Sequence, residues 1–221
     1  MHYNNFSIRS FGSVAGLALL SMGLAPLAHA QTPALTLNDT TGQNLGNPPF
    51  TLGFEFTANI ALNVTALGLF DDSQDGLTER HDIGLFTSGG TLLTSTTISG
   101  GTADPLTNQF RYASITPITL TAGQNYRIGA VYTSGADALI FPGFASGFAT
   151  DPGVTFVGSR FASGGSLTDP TVGSGNDPSY FGPNFKMSAA VPEPGTYALI
   201  ASLGLSGVGF LARRKRTCKA A

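Results

Sequence analysis

The sequence predicts an all-β protein: an antiparallel β-sandwich of jelly-roll type, flanked by an N-terminal signal peptide and a C-terminal transmembrane helix. Three observations point to it. Phe50, Leu52, Phe54 and Phe56 alternate with Thr51, Gly53, Glu55 and Thr57, the period of two that gives a strand one buried face. Short runs of strand-forming residues recur at about ten-residue spacing, separated by Gly, Pro, Asp and Ser turns. Between the two apolar ends no segment sustains a helical period.

The chain opens on a short, mildly basic stretch, Met1–Arg9, and a mostly apolar one, Phe11–Leu27, with Pro26 near its end. Ala28-His29-Ala30 follows as a small-residue cleavage site, so the mature chain is expected to begin at Gln31. Residues 1–30 are then a signal peptide, 31–190 an exported domain and 191–221 a sorting tail. The middle segment, about 160 residues, is one domain's worth and enough for a packed core.

Within it, Gln31–Pro49 is a polar entry ending in Pro48-Pro49, and the alternating stretch from Phe50 is a first full strand. Leu62–Phe70 is a second; its alternation blurs after Ala66, which implies burial on both faces or a bulge near Gly68. An acidic turn at Asp71–Gly76 leads to a strand at Ile83–Phe86, and the Ser88-Gly89-Gly90 turn pairs it with Thr91–Ser99 as a hairpin. Phe110–Ile115 and Ile118–Leu120 make a strand interrupted by Pro117, so an edge or a bend is expected there. Thr121-Ala122-Gly123-Gln124 turns the chain into Asn125–Thr133, where Tyr126, Ile128, Ala130 and Tyr132 share a face. Ala138–Phe141, Val154–Val157 and Asn184–Ser188 are the remaining strands. Ser163–Pro183, dominated by Gly, Ser, Asp and Pro, is expected to be a long exposed loop.

Charge is unevenly placed. Every acid except Glu193 falls between Gln31 and Ala190, against Arg80, Arg111, Arg127, Arg160 and Lys186 as the only bases, so this part is near −7 although the whole chain is −2. Without a basic patch to release counterions, the charge argues against nucleic acid or anionic polymers as partners. The single cysteine, Cys218, lies in the tail, so the exported domain is stabilised by its core without a disulfide, although the compartment would permit one.

One constellation offers ion chemistry. Asp71-Asp72-Ser73-Gln74-Asp75-Gly76-Leu77-Thr78-Glu79-Arg80-His81-Asp82 fits D-x-S-x-D-G-x₅-D, the spacing of a calcium loop with Asp71, Ser73, Asp75, Leu77, Glu79 and Asp82 as ligands. Asp82 is shorter than the usual closing Glu, and the flanks read as strands, so this is a calcium loop in a β setting or a solvated acidic turn. His81, the only histidine after signal removal, cannot alone make a His-rich zinc site and is expected to bond locally at a strand entry. No G-x-S-x-G elbow, cysteine nucleophile or P-loop is present; Gly143-Phe144-Ala145-Ser146-Gly147 has the wrong spacing. Glu55 and Glu79 are the conceivable glycosidase pair, but Glu55 stands on the Thr-bearing side of its strand. The chain has no Trp to stack on sugar rings, and Phe141, Phe144 and Phe148 serve equally as core or loop anchors.

The tail has three parts in order: Val191-Pro192-Glu193-Pro194, the uncharged run Thr196–Ala212, and Arg213-Arg214-Lys215-Arg216. As a helix the run reaches roughly 25 Å, the short end of a bilayer span, and its Gly and Ser are common in membrane helices. The basic cluster keeps its end cytoplasmic, so residues before Val191 lie outside. The prolines leave Glu193 in an extended, accessible segment. This arrangement resembles the PEP-CTERM sorting signal of Gram-negative bacteria. The resemblance implies recognition by a membrane protease-transpeptidase of the exosortase type, removal of the span, and a cell-surface or extracellular product, commonly associated with exopolysaccharide and biofilm matrix.

A second resemblance rests on Val64-Thr65-Ala66-Leu67-Gly68-Leu69-Phe70, Asp75-Gly76-Leu77, His81-Asp82-Ile83-Gly84-Leu85-Phe86, Gly90-Thr91-Leu92-Leu93 and Leu120-Thr121-Ala122-Gly123-Gln124-Asn125-Tyr126. In this order they look like an uncharacterised β-sandwich domain often found upstream of PEP-CTERM signals; it implies the fold and no activity. The functional expectation is a non-enzymatic surface or matrix protein in contact with exopolysaccharide. The alternative is a calcium-dependent glycoside hydrolase, and both rest on analogy with the company such proteins keep.

Overall fold

The computed structural model describes residues 30–38, 42–44, 46, 48–140, 147–173 and 182–190. The expected signal peptide and membrane helix, with Ala28, Pro192–Pro194 and Arg213–Arg216, lie outside these residues. Among the described residues no helix is long and apolar enough to cross a membrane.

Eight strands of seven residues or more carry the fold: β1 (Phe50–Ala58), β2 (Leu62–Phe70), β3 (His81–Thr87), β4 (Leu92–Ile98), β5 (Phe110–Leu120), β6 (Asn125–Tyr132), β7 (Val154–Ser163) and β8 (Pro183–Ala189). All pairings are antiparallel. One sheet runs Thr32–Pro33, β8, β2, β5, Leu106–Thr107; the other runs Val172–Gly173, β7, β1, β6, β3, β4. Two small pairings, Ala138–Leu139 with Gln43–Asn44 and Ala149–Thr150 with Leu35–Thr36, tie the entry segment to later loops. The chain crosses repeatedly between the two sheets, with β3 and β4 a hairpin within one of them and β7 flanked by Val172–Gly173 and β1.

The alternation in β1 does what period two dictates. Phe54 and Phe56 are buried in a core that also takes Leu62, Val64 and Leu67 of β2, Tyr126, Ile128, Ala130 and Tyr132 of β6, and Phe185 of β8. Phe56 and Phe185, from opposite sheets, stack with ring centroids 4.8 Å apart, so the two layers form a sandwich. The blurred half of β2, Ala66–Phe70, is buried throughout. Its bulge comes earlier than expected, between Val64 and Ala66. Gly68 instead admits the Tyr112 ring, whose Cδ1 would lie 2.5 Å from a Cβ placed there. Pro117 is exposed within a continuous β5; β5 pairs with β2 on one side and only at Phe110 and Arg111 with Leu106–Thr107 on the other, so Pro117 faces a free edge.

The expected exposed loop after Ser163 is exposed at Gly165, Ser166, Thr168 and Thr171, but its described part also packs against the sheet. Gly53, Gly129 and Gly84 stand in register across β1, β6 and β3, a row without side chains on the outer face of the six-stranded sheet. Residues 164–171 lie over this trough. A Cβ on Gly129 would meet Pro170 Cγ at 3.0 Å, and one on Gly84 would meet Leu167 Cδ2 at 2.9 Å. Thr51 anchors the strap, its hydroxyl donating to the Ser166 carbonyl and accepting from the Thr168 amide, each at 3.3 Å. The strap explains why Arg127, Gly129 and Val131, on the outward face of β6, are buried.

The contact between the layers is the fold's main apolar link. Phe185→Ala is expected to cost about 3–5 kcal/mol, since a buried aromatic is replaced by a cavity; equilibrium urea unfolding measures it, and a loss under 1 kcal/mol would show that β8 does not pack as described.

Candidate functional site

The acidic stretch after β2 does not close around a common centre. Asp71 is fully buried and meets Arg111, itself 4 % exposed, with Nε donating to Asp71 Oδ2 at 2.6 Å. Arg111 also donates to the carbonyls of Thr102, Asp104 and Gln74, and the Gly76 amide donates to Asp71 Oδ1 at 3.1 Å. Asp72 Oδ1 accepts from the Gly42 amide at 2.5 Å. Ser73 and Asp75 are exposed. The Leu77 carbonyl, expected to face the ion, accepts from the Gly101 amide at 2.6 Å. Asp82 takes the Thr97 hydroxyl at 2.6 Å. Of the six expected calcium ligands, Asp71, Leu77, Glu79 and Asp82 each accept from separate protein donors, and Ser73 and Asp75 are exposed. The physical reason is Arg111: the carboxylate that would start the shell is already neutralised by a buried guanidinium.

The structure gathers a different set. Glu79, His81 and Asp137 bring their ligand atoms within 4.8 Å of one another. His81 opens β3 and is 1 % exposed; Asp137, 6 % exposed, sits in the turn after β6. The imidazole is held at both nitrogens, Nδ1 at 2.7 Å from the Val131 carbonyl and Nε2 at 2.7 Å from Asp137 Oδ2. Asp137 also accepts from the Thr78 amide at 2.6 Å and the Glu79 amide at 3.0 Å. Glu79 Oε2 takes the Thr133 hydroxyl, and Oε1 takes the Ser134 amide and hydroxyl. Burial works against ionisation of Asp137, but the His81 contact and the two amides outweigh it and hold the carboxyl below its usual range. Glu79 is depressed likewise, burial being opposed by Ser134, Thr133 and the nearby His81. Tyr132 stands 5.0 Å from the imidazole. An open cleft of about 280 Å³, lined by Glu79, Arg80, Asp82, Val131, Thr133 and Gly165, adjoins the cluster.

Against this geometry the matches to known proteins are informative. The family model described as a domain of unknown function (DUF4082) matches residues 37–181. The chain belongs to the DUF4082 family. A PEP-CTERM protein-sorting motif matches residues 190–216, so this DUF4082 protein is an exosortase-targeted, exported one, bound for the cell surface or the exterior. No curated protein matches, and no solved structure does.

In the DUF4082 domain Glu55 and Glu79 do not stand as a glycosidase pair. Glu55 aligns with Arg127, which aligns with Phe86 near the end of β3, while Glu79 precedes the start of β3. At ~3.3 Å per residue the two carboxylates stand on the order of 20 Å apart, beyond the roughly 5–9.5 Å of a glycosidase pair. Glu55 is also engaged by Arg160 at 2.9 Å and by the Asn125 amide at 3.0 Å. His81 does not adopt triad geometry, because the nitrogen that would serve a nucleophile faces the Val131 carbonyl. Sequence reasoning missed Asp137, which follows Ser134-Gly135-Ala136 and is remote from His81 in the chain; an acid between a Gly turn and the apolar Ala138–Ile140 is the one local sign.

Breaking the loop's anchor has a defined cost. Arg111→Met is expected to lose about 3–5 kcal/mol because it leaves Asp71 buried and unpaired; urea unfolding reads it, and unchanged stability contradicts the pairing. Asp137 gives a pH signature. Its carboxyl is depressed in the folded state, so the stability it adds is present above the unfolded carboxylate value, about 4, and is lost as pH falls through the lower folded value. With chelator present, the drop in stability between pH 5 and pH 3, both set around that value of about 4, is expected to be shallower in Asp137→Asn; parallel profiles would contradict it.

Proposed function

We propose that the chain is a non-enzymatic surface or extracellular-matrix protein, matured by exosortase-type processing and associated with exopolysaccharide. The observation that carries the reading is where the two processed ends stand. Thr32 pairs with Met187 and Pro33 with Lys186, antiparallel, so Gln31 emerges beside the last residues of β8. The Ala190 amide donates to the Ala61 carbonyl at 2.8 Å, and the sorting motif begins at this same residue. Ala30 and Gln31 are exposed. Gln31 and Ala190, which border the two targeting segments, therefore leave the sandwich at the same end. Removal of either segment takes no strand from the fold.

The non-enzymatic part is supported by the engaged carboxylates and the occupied imidazole described above. Those observations disfavour the alternative, a calcium-dependent glycoside hydrolase. Association with exopolysaccharide rests on the sorting route, which implies a destination where such polymers are the nearest large ligands. Three of the five basic residues between Gln31 and Ala190, Arg111, Arg127 and Arg160, are tied up in ion pairs, which leaves that segment little cationic surface for nucleic acid.

Mass spectrometry of the protein from a host with the sorting machinery tests processing: the expected chain starts at Gln31 and ends near Pro192–Pro194, and recovery of the tail through Ala221 refutes the second cut. A glycan panel scored for both binding and hydrolysis tests the role. Binding without turnover is expected, and turnover abolished by Glu79→Gln would overturn the non-enzymatic reading.

A further inference from the structure

We propose that Glu79, His81 and Asp137 form a binding site for a first-row divalent transition metal of the zinc class. The argument starts from the imidazole. The Val131 carbonyl carries no hydrogen, so the ring nitrogen 2.7 Å away, Nδ1, must be the donor. In the neutral ring Nε2 is then a lone pair, and it points at Asp137 Oδ2, a second base, at 2.7 Å. Two bases at that distance require a cation between them, and only a proton or a metal ion meets the need. The third base, Glu79, completes a set whose ligand atoms all lie within 4.8 Å of one another.

The surroundings favour a metal as the resident cation. A histidine that ligates through one nitrogen almost always donates its other N–H to a carbonyl or carboxylate, which fixes the tautomer and aims the lone pair; the Val131 carbonyl does this for His81. Asp137 is oriented in turn by the Thr78 and Glu79 amides, and Glu79 by Thr133 and Ser134, so each ligand has its own outer support. One imidazole nitrogen and two carboxylate oxygens suit zinc and its neighbours, whereas calcium takes oxygen ligands alone. Tetrahedral bonds of about 2.0–2.1 Å separate ligand atoms by roughly 3.3 Å, so Asp137 must withdraw by about 0.6 Å from its present place. The turn that carries it has Gly135 at φ 68° and exposed neighbours at Ser134 and Ala136. Three protein ligands leave one position open, and the adjoining cleft between Glu79, Asp82, Thr133 and Gly165 gives solvent or a ligand oxygen access to it.

The site would join three separate segments: the loop before β3, the first residue of β3 and the turn after β6. Its position accounts for the acid that the loop keeps facing the cleft, which the Asp71–Arg111 pair does not absorb.

The test is calorimetric titration of the untagged full chain in detergent, first stripped with chelator, with Zn²⁺ and with Ca²⁺, and with melting temperatures taken alongside. One Zn²⁺ per chain is expected to bind, with a melting temperature that rises with free Zn²⁺ and does not respond to Ca²⁺. Asp137→Asn keeps an oxygen for the two amides, and Glu79→Gln alters a part-exposed group; each is expected to weaken Zn²⁺ at least about tenfold. Circular dichroism shows that the variants are folded, and if Asp137→Asn does not fold, Glu79→Gln decides alone. Absence of stoichiometric Zn²⁺ binding means that the pair shares a proton and overturns the proposal. Binding undiminished in the folded variants also overturns it, because the ion then sits elsewhere, as on His2 or His29 of the precursor.

Discussion

β8 is the strand on which the rest depends. It is the second strand of the five-stranded sheet, between Thr32–Pro33 and β2, and sends Phe185 across the core to Phe56. Asn184 is fully buried, with its side-chain amide donating to the Leu35 carbonyl at 2.9 Å. The chain therefore cannot close its core until it has delivered nearly all of its exported length. The sorting motif begins at Ala190, directly after this strand. Folding and sorting are coupled by adjacency: the domain is complete where the signal starts, and an enzyme acting on that signal works beside a finished sandwich end.

The few charges of the domain are spent mostly on its own architecture. Arg111 holds the loop after β2 through Asp71, and Arg160 bridges β7 to Glu55 of β1. Arg127 of β6 fixes the strap through Asp169, with two hydrogen bonds at 2.8 and 2.6 Å. Lys186 lies 4.5 Å from the centre of the Tyr112 ring. A protein without disulfides in its exported part thus uses paired charges where loops cross sheets, and its remaining surface is acidic. That distribution does not favour a polyanion as a partner.

Most strands were legible because their physics is local. The Phe50–Phe56 alternation, the Gly89-Gly90 hairpin and the edge at Pro117 each follow from a few neighbouring residues. What escaped is what depends on partners far along the chain. The acid density of Asp71–Asp82 was visible and does require compensation, but nothing local reveals that Arg111 reaches it from β5. The Gly53, Gly129 and Gly84 row becomes a trough only once three strands are in register, so a stretch that is largely exposed also sets Leu167 and Pro170 against it. His81 was rightly placed at a strand entry, but its expected local bonds are not there: its ring nitrogens meet the Val131 carbonyl and Asp137, and no spacing rule links that turn to β3.

The central claim is that the sandwich is closed by β8 and needs nothing beyond it. Thermal unfolding of two chains that both start at Gln31, one ending at Ala190 and one at Gly182, tests this most directly. The account predicts one cooperative transition for the longer chain and none for the shorter, which lacks the strand between Thr32–Pro33 and β2. A shorter chain that melts cooperatively at the same temperature as the longer would contradict it.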